Sequence, residues 1–215
     1  MVDTGSRRWQ LAWGLCLAAI VLSIRYIDRP VAEFMNIHVR PTDLWDYLND
    51  LLSLCALVAA AGLLVLLASG CALLSGRVLP RWSLTPILCS WSLMWALGAE
   101  VVLKGAFGRG TTTTYVQNHI YQFHYLHDRE GWNSFPSGTA TVAAAIAAVL
   151  WRTTPSSRVF GVVSVAIVAV LLVLTNGHWV SDVIAGGFLG ASIGDMTYLM
   201  QRPKDTASDG THPQL

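Results

Sequence analysis

Long apolar runs recur along this 215-residue chain and limit the folds open to it. Apolar residue types (AVILMFWYC) make up 53% of the chain and charged residues 13%, about half of the ~25% found in soluble domains. A helix of about 20 apolar residues crosses a bilayer. We therefore predict an all-α integral membrane bundle of six transmembrane helices, rather than a soluble globule. The predicted spans are roughly 9–27, 51–74, 84–107, 137–151, 159–175 and 181–200.

The distribution of basic residues predicts the orientation of the bundle. Three short segments carry arginine pairs, as cytoplasmic loops do: Arg7 and Arg8, Arg77 and Arg81, Arg152 and Arg158. Both termini are therefore predicted to be cytoplasmic. The long connection 108–136 then lies on the outer side. Residues 1–201 are predicted to form the membrane domain, and the polar segment 202–215 a disordered cytoplasmic tail.

His178 and Asp182 are candidates for chemistry at the start of the sixth predicted span. Ionisable residues are costly in membranes and usually mark function. Residues four apart lie on one helix face, so the carboxylate can accept from one imidazole nitrogen and leave the other nitrogen free as a nucleophile or base. A purely structural role for the pair is equally compatible with this spacing.

Lys104 and Arg109 are candidate anion ligands at the outer end of the third predicted span. A guanidinium suits phosphate because it binds two oxygens at once. Two alternatives stay open for Lys104: snorkelling to the interface, and a structural ion pair with Glu100, four residues earlier.

The segment Pro136-Ser137-Gly138-Thr139 opens the fourth predicted span. Proline is tolerated in a first helical turn, and serine and glycine start helices well. The free N–H groups of such a turn attract anions. We predict that this turn, Lys104, Arg109 and His178 surround one phosphate on the outer side of the membrane.

With these residues the chain resembles the type-2 phosphatidic acid phosphatase family of lipid phosphatases. That family carries the motifs Lys-x6-Arg-Pro, Pro-Ser-Gly-His and Ser-Arg-x5-His-x3-Asp. Here "FPSGT" and "NGHWVSD" match the second and third motifs, and "KGAFGRG" resembles the start of the first. The resemblance implies a six-helix membrane enzyme that works without metal, with His178 as nucleophile and Asp182 as its orienting partner. Lys104, Arg109, Ser137, Gly138 and Thr139 are implied to bind substrate.

The chain departs from the family pattern at three places. Thr111-Thr112 stand where Arg-Pro is expected, and Leu171-Leu172 replace Ser-Arg of the third motif. Thr139 replaces the histidine that protonates the leaving group in the family. Loss of a general acid typically costs about 10²–10⁴-fold in rate. Either the leaving group is itself a phosphate, as in a pyrophosphate lipid, or a loop histidine supplies the proton: His119, His124 or His127.

We expect a membrane phosphatase or phosphotransferase that acts on a lipid phosphate or pyrophosphate through a phosphohistidine. The lipid would be of polyprenyl, glycero- or lipid A type, at the outer leaflet of a bacterial inner membrane. No cofactor, metal or nucleic-acid partner is expected, since "HYLHD" in a loop is weak evidence for a metal site. The alternative is a non-catalytic lipid-phosphate-binding or scaffold protein that has lost catalytic residues.

Overall fold

The computed structural model describes residues 4–126 and 131–201, and within them it is all α-helical. The all-α part of the predicted fold class is thus confirmed. The tail 202–215 and His127 lie outside the described residues. The α-helices are α1 (Thr4–Leu22), α2 (Asp28–His38), α3 (Asp43–Leu74), α4 (Leu84–Phe107), α5 (Thr112–Asn118), α6 (Gly138–Thr153), α7 (Arg158–Leu174) and α8 (Val180–Met200).

Four helical segments of the described chain are long and apolar enough to cross a bilayer. They are Trp9–His38, Leu84–Phe107, Pro155–Leu174 and Val180–Met200. Two shorter apolar helices, Ala60–Ala72 and Gly138–Thr153, fall where the second and fourth spans were predicted. The chain is therefore a multi-pass membrane protein, while the count of six spans and the placement of the termini remain predictions.

The first predicted span runs on beyond its expected end. A π-helical turn, Ser23–Ile27, joins α1 to α2, so that the helix continues to His38. Asp28, which opens α2, is 1% exposed. An acidic residue that sequence places at the membrane surface is thus inside the bundle.

Helix α6 lies at the centre of the bundle and packs against α8, α4 and α7. Glycines four residues apart on α8 allow the backbones of α6 and α8 to pack closely. A Cβ added at Gly186, Gly190 or Gly194 would lie 2.4, 2.0 or 2.2 Å from the backbone oxygen of Ser137, Thr141 or Ala145. Small residues at such positions let helix backbones approach each other in membranes. This contact sets the starts of α6 and α8 side by side.

Candidate functional site

Asp182 lies in the first turn of α8 and is completely buried. Its Oδ2 accepts hydrogen bonds from Ser134 Oγ at 2.5 Å and from the N–H of Trp179 at 3.3 Å. The second of these bonds caps the helix, since Trp179 is the residue that precedes α8. Oδ1 accepts from Arg109 Nη1. The carboxylate is thus held in place by groups other than His178.

His178 lies beside this carboxylate without bonding to it. Its Nδ1 is 3.5 Å from Asp182 Oδ2, and it is buried with no hydrogen-bond partner among the described residues. The side chain is 16% exposed. The predicted pair is therefore brought together in space but is not joined.

Arg109 is buried among carboxylates. Its guanidinium, 1% exposed, donates from Nη2 to Asp28 Oδ2 at 2.6 Å and from Nη1 to Asp182 Oδ1. Nη1 also donates to Ser181 Oγ at 2.6 Å, and Nη2 to Tyr121 Oη at 2.9 Å. Arg109 therefore orders the site from within, with two carboxylates as its ion-pair partners.

The Arg109 cluster, defined as Arg109, Asp28, Asp182 and Ser181, has two carboxylates for one cation. The start of α8 compensates the extra negative charge, because the N–H of Ser181 donates to Asp28 Oδ1 at 3.0 Å and helix N-termini carry partial positive charge. Burial alone would lower the pKa of Arg109, but Asp182 and Asp28 hold that pKa above its usual value. The guanidinium is therefore charged at any working pH.

Gly108 directs Arg109 into the bundle. This residue ends α4 in the left-handed conformation, with φ of +49°, which glycine adopts at little cost. The chain then turns inward, and the guanidinium carbon lies 5.0 Å from the ring centre of Phe123, 5.2 Å from that of Trp179 and 5.4 Å from that of Tyr121. Cations attract such ring faces. Local backbone conformation and aromatic packing thus fix Arg109 together.

The turn before α6 is attached to the start of α8. The N–H of Ser137 donates to the carbonyl of Asp182 at 3.1 Å, and Ser137 O accepts from Thr141 Oγ1 at 2.7 Å. Ser137 precedes the helix in an extended conformation but forms no side-chain cap. Its Oγ is buried with no partner among the described residues. The predicted anion-binding turn is therefore adjacent to the Asp182 region and lacks its usual cap.

Glu100 reaches this turn from α4. A Cβ added at Gly138 would lie 2.0 Å from the Glu100 carboxylate, so a side chain there would require the Glu100 side chain to move. The same carboxylate pairs with Lys104 Nζ at 2.6 Å. The ion pair that sequence left as one alternative is present. Lys104 is thus tied through Glu100 to the first turn of α6, and both side chains are about one-fifth exposed.

Residues 85–205, more than half of the chain, match the model of the PAP2 superfamily. The chain belongs to the PAP2 superfamily. No curated protein and no solved structure matched it. Members of this superfamily are generally phosphatases of phosphate esters, typically of lipid phosphates. The resemblance drawn from the motifs is confirmed at this level.

Thr139 and the loop histidines of this PAP2 member lie in different surroundings. Thr139 lines an apolar cavity together with Glu100. His119 is exposed and ends α5 with φ of +56°, and His124 bonds to Gln122 at 2.9 Å and packs on Trp132. A role for either histidine as an acid stays a prediction.

Sequence reasoning missed Asp28, Ser134 and Glu100 as parts of this site. Asp28 lies outside the matched stretch 85–205, yet it binds Arg109 and Ser181 inside it. The available signal was an acid next to an apolar run, which is costly unless paired. Glu100 was considered only as a partner of Lys104, since sequence gives no sign that its carboxylate faces Gly138.

Proposed function

We propose that this PAP2 member is a lipid phosphate or pyrophosphate phosphatase, or a phosphotransferase, whose site faces the outer side of a bacterial inner membrane. The observation that carries the proposal is the position of Asp182 between His178 and the turn before α6. His178 Nδ1 lies 3.5 Å from the Asp182 carboxylate, and the backbone carbonyl of Asp182 accepts a hydrogen bond from the N–H of Ser137. This arrangement supports placing the proposed nucleophile, His178, beside the first turn of α6. The superfamily's general activity supports the same reading.

In the proposed reaction the substrate phosphate binds at the first turn of α6 and to Lys104. His178 Nε2 attacks phosphorus, the bond from phosphorus to the leaving oxygen breaks, and a phosphohistidine forms, while Nδ1–H donates to Asp182. Water, or an acceptor hydroxyl, then breaks the P–N bond, releasing inorganic phosphate or the transferred ester. Such transfer depends mainly on positioning and charge neutralisation.

The leaving group is expected to set the substrate range. With Thr139 in place of an acid, a phosphate leaving group departs without protonation, whereas an alkoxide requires a proton. We therefore expect alkyl pyrophosphates to be cleaved faster than the corresponding monophosphates. The reverse order would favour an acid from the loop, and replacing His119 or His124 with alanine would identify it.

The test is phosphate release by the purified full-length chain from alkyl mono- and pyrophosphates. His178→Ala should abolish release, whereas Thr139→Ala should change it by less than about tenfold, because the usual worth of an acid is already missing. His38→Ala, at an exposed histidine, is the matched control. Equal losses in His178→Ala and Thr139→Ala would contradict the proposed roles.

A non-catalytic binder is the second candidate, and one observation favours it: Lys104 and Arg109 are both engaged by carboxylates. Binding of alkyl phosphates without release of phosphate from any of them would establish this reading. Acid-labile labelling of His178 by a radioactive substrate would exclude it.

A further inference from the structure

One face of α6 is left open beside the proposed phosphate site. Thr139, Ala143, Ile146 and Leu150 follow each other at helical spacing on this face and are half-buried, while the far side of the helix, with Thr141 and Ala145, is buried against the bundle. Helices α3, α4 and α7 form the other walls. The result is a groove with a volume of about 480 Å³.

The groove begins at the proposed site. Glu100, Gly138 and Thr139 line its upper end, and the same Glu100 carboxylate contacts the first turn of α6 and pairs with Lys104. Apart from Ser164, the groove's other lining residues are apolar, with Leu52 of α3 and Val168 of α7 among them. A molecule whose phosphate occupies the site therefore has an apolar continuation available in this groove.

The length of the groove fits a hydrocarbon chain. From Gly138 to Leu150, which both line the groove, the helix rises about 18 Å at ~1.5 Å per residue, slightly more than half of the ~30 Å hydrocarbon core of a bilayer. The groove therefore matches the depth of one leaflet.

We propose that this groove binds a hydrocarbon chain of the lipid phosphate substrate and thereby selects substrates by chain length. The proposal rests on the proposed function, because it takes the phosphate end of the substrate to lie at His178. The substrate class is an amphiphile with a long hydrocarbon chain attached to its phosphate or pyrophosphate.

Small residues keep the groove open where α6 and α7 cross. A Cβ added at Gly161 would lie 3.4 Å from the Cβ of Ala147, so the first carbon of a new side chain fits and a longer one extends into the space. Gly161→Leu should therefore fill the groove. Gly98→Leu is the matched control, because an added Cβ at Gly98 meets nothing within 4 Å and Gly98 is not among the groove residues.

The experiment measures kcat/KM of the full-length chain in lipid nanodiscs with hexyl, decyl and tetradecyl phosphates and pyrophosphates. Burial of each methylene is worth up to about fourfold in affinity, so kcat/KM should rise at least about tenfold from hexyl to decyl. Gly161→Leu should remove this rise and leave the hexyl compounds unchanged, whereas Gly98→Leu should keep it. A rise that survives in Gly161→Leu overturns the proposal.

A second measurement separates the groove from the chemistry. Tetradecyl phosphate with a diazirine at its chain end is photocrosslinked to the protein, and the site is mapped by mass spectrometry. Crosslinks at Leu150 or Phe160 that disappear in Gly161→Leu support the groove even if no substrate is hydrolysed, in which case only the proposed function fails. Crosslinks spread over the outer surface of the bundle, as bulk lipid would give, overturn the groove.

Discussion

Asp182 accepts hydrogen bonds from several groups, and His178 is not among them. Ser134, Trp179 and Arg109 all donate to this carboxylate. The carboxylate is therefore held by three donors other than the imidazole. At the residue scale, Arg109 holds the carboxylate that lies beside the proposed nucleophile, His178.

Removal of the Arg109 charge should destabilise the protein. Arg109→Met leaves Asp28 and Asp182 buried without their cation, and breaking a buried pair in this way costs about 3–5 kcal/mol. We expect a clear fall in Tm in detergent. Arg25→Met, at an exposed arginine, is the control and should leave Tm unchanged. A similar Tm for both variants would mean that the cluster carries no net stability.

The pH dependence of this contribution has a definite sign. Because the pKa of Arg109 is raised in the folded state, the stabilisation is fully present below the pKa of an unfolded arginine and is lost only as pH rises through the raised value. The Tm difference between the native chain and Arg109→Met should therefore stay constant as the pH is raised from neutrality to mildly alkaline values.

Thr139→His should restore a proton donor at the start of α6. The side chain lines a cavity, so an imidazole has room there. A general acid is worth about 10²–10⁴-fold, and we expect at least about tenfold faster release from alkyl monophosphates, with little change for pyrophosphates. Initial rates on the two substrate types check this, and an equal gain on both would show that leaving-group protonation is not what Thr139 limits.

At the scale of elements, the hydrophobic pattern predicts helices well and contacts poorly. The predicted span 84–107 coincides with α4, and 137–151, 159–175 and 181–200 fall within a few residues of α6, α7 and α8. The start of α3 was placed at 51 rather than 43, because its first turns carry Asp43 and Asp46 and interrupt the apolar run. The length of an apolar run does not reveal where a helix begins when its first turns lie outside the hydrocarbon core.

The site was only partly predictable, for a related reason. His178 and Asp182 are four residues apart, so helical geometry alone brings them together. Asp28 and Arg109 are 81 residues apart, and their contact depends on the packing of whole helices. The sequence identifies the charged residues but not which of them come into contact in the fold. For this reason Arg109 was expected to face a substrate phosphate rather than two carboxylates.

The contact between α6 and α8 provides a matched pair of glycines. Gly190→Ala would place a Cβ 2.0 Å from the Thr141 backbone oxygen, whereas Gly187→Ala would meet nothing within 4 Å. We expect Gly190→Ala to separate the helices, lower Tm and abolish activity. Gly187→Ala should be neutral or slightly stabilising, because alanine favours helix by about 1 kcal/mol over glycine. Equal stability of the two variants would contradict the close packing.

At the scale of the whole molecule, the predicted topology can be tested by cysteine labelling. Leu126 in the long connection is 88% exposed and Val78 in the α3–α4 connection is 95% exposed. In a chain whose native cysteines are replaced with alanine, Leu126→Cys should react with an impermeant maleimide on intact cells, and Val78→Cys only after permeabilisation. The opposite pattern would reverse the predicted orientation and place the site on the cytoplasmic side.

The Arg109 cluster also bears on how the molecule is made. Asp28 and Arg109 are synthesised and inserted well before Ser181 and Asp182, because translation proceeds from the N-terminus. Until α8 arrives, Asp28 lacks both of its bonds to Ser181, and Arg109 lacks one of its two carboxylates. Charged side chains that lack some of their hydrogen bonds and ion-pair partners are costly inside a bilayer. Arrival of α8 therefore adds the second carboxylate, Asp182, together with the Ser181 groups that hydrogen-bond to Asp28 and Arg109, so the cluster in a finished polypeptide differs electrostatically from that in every truncated one.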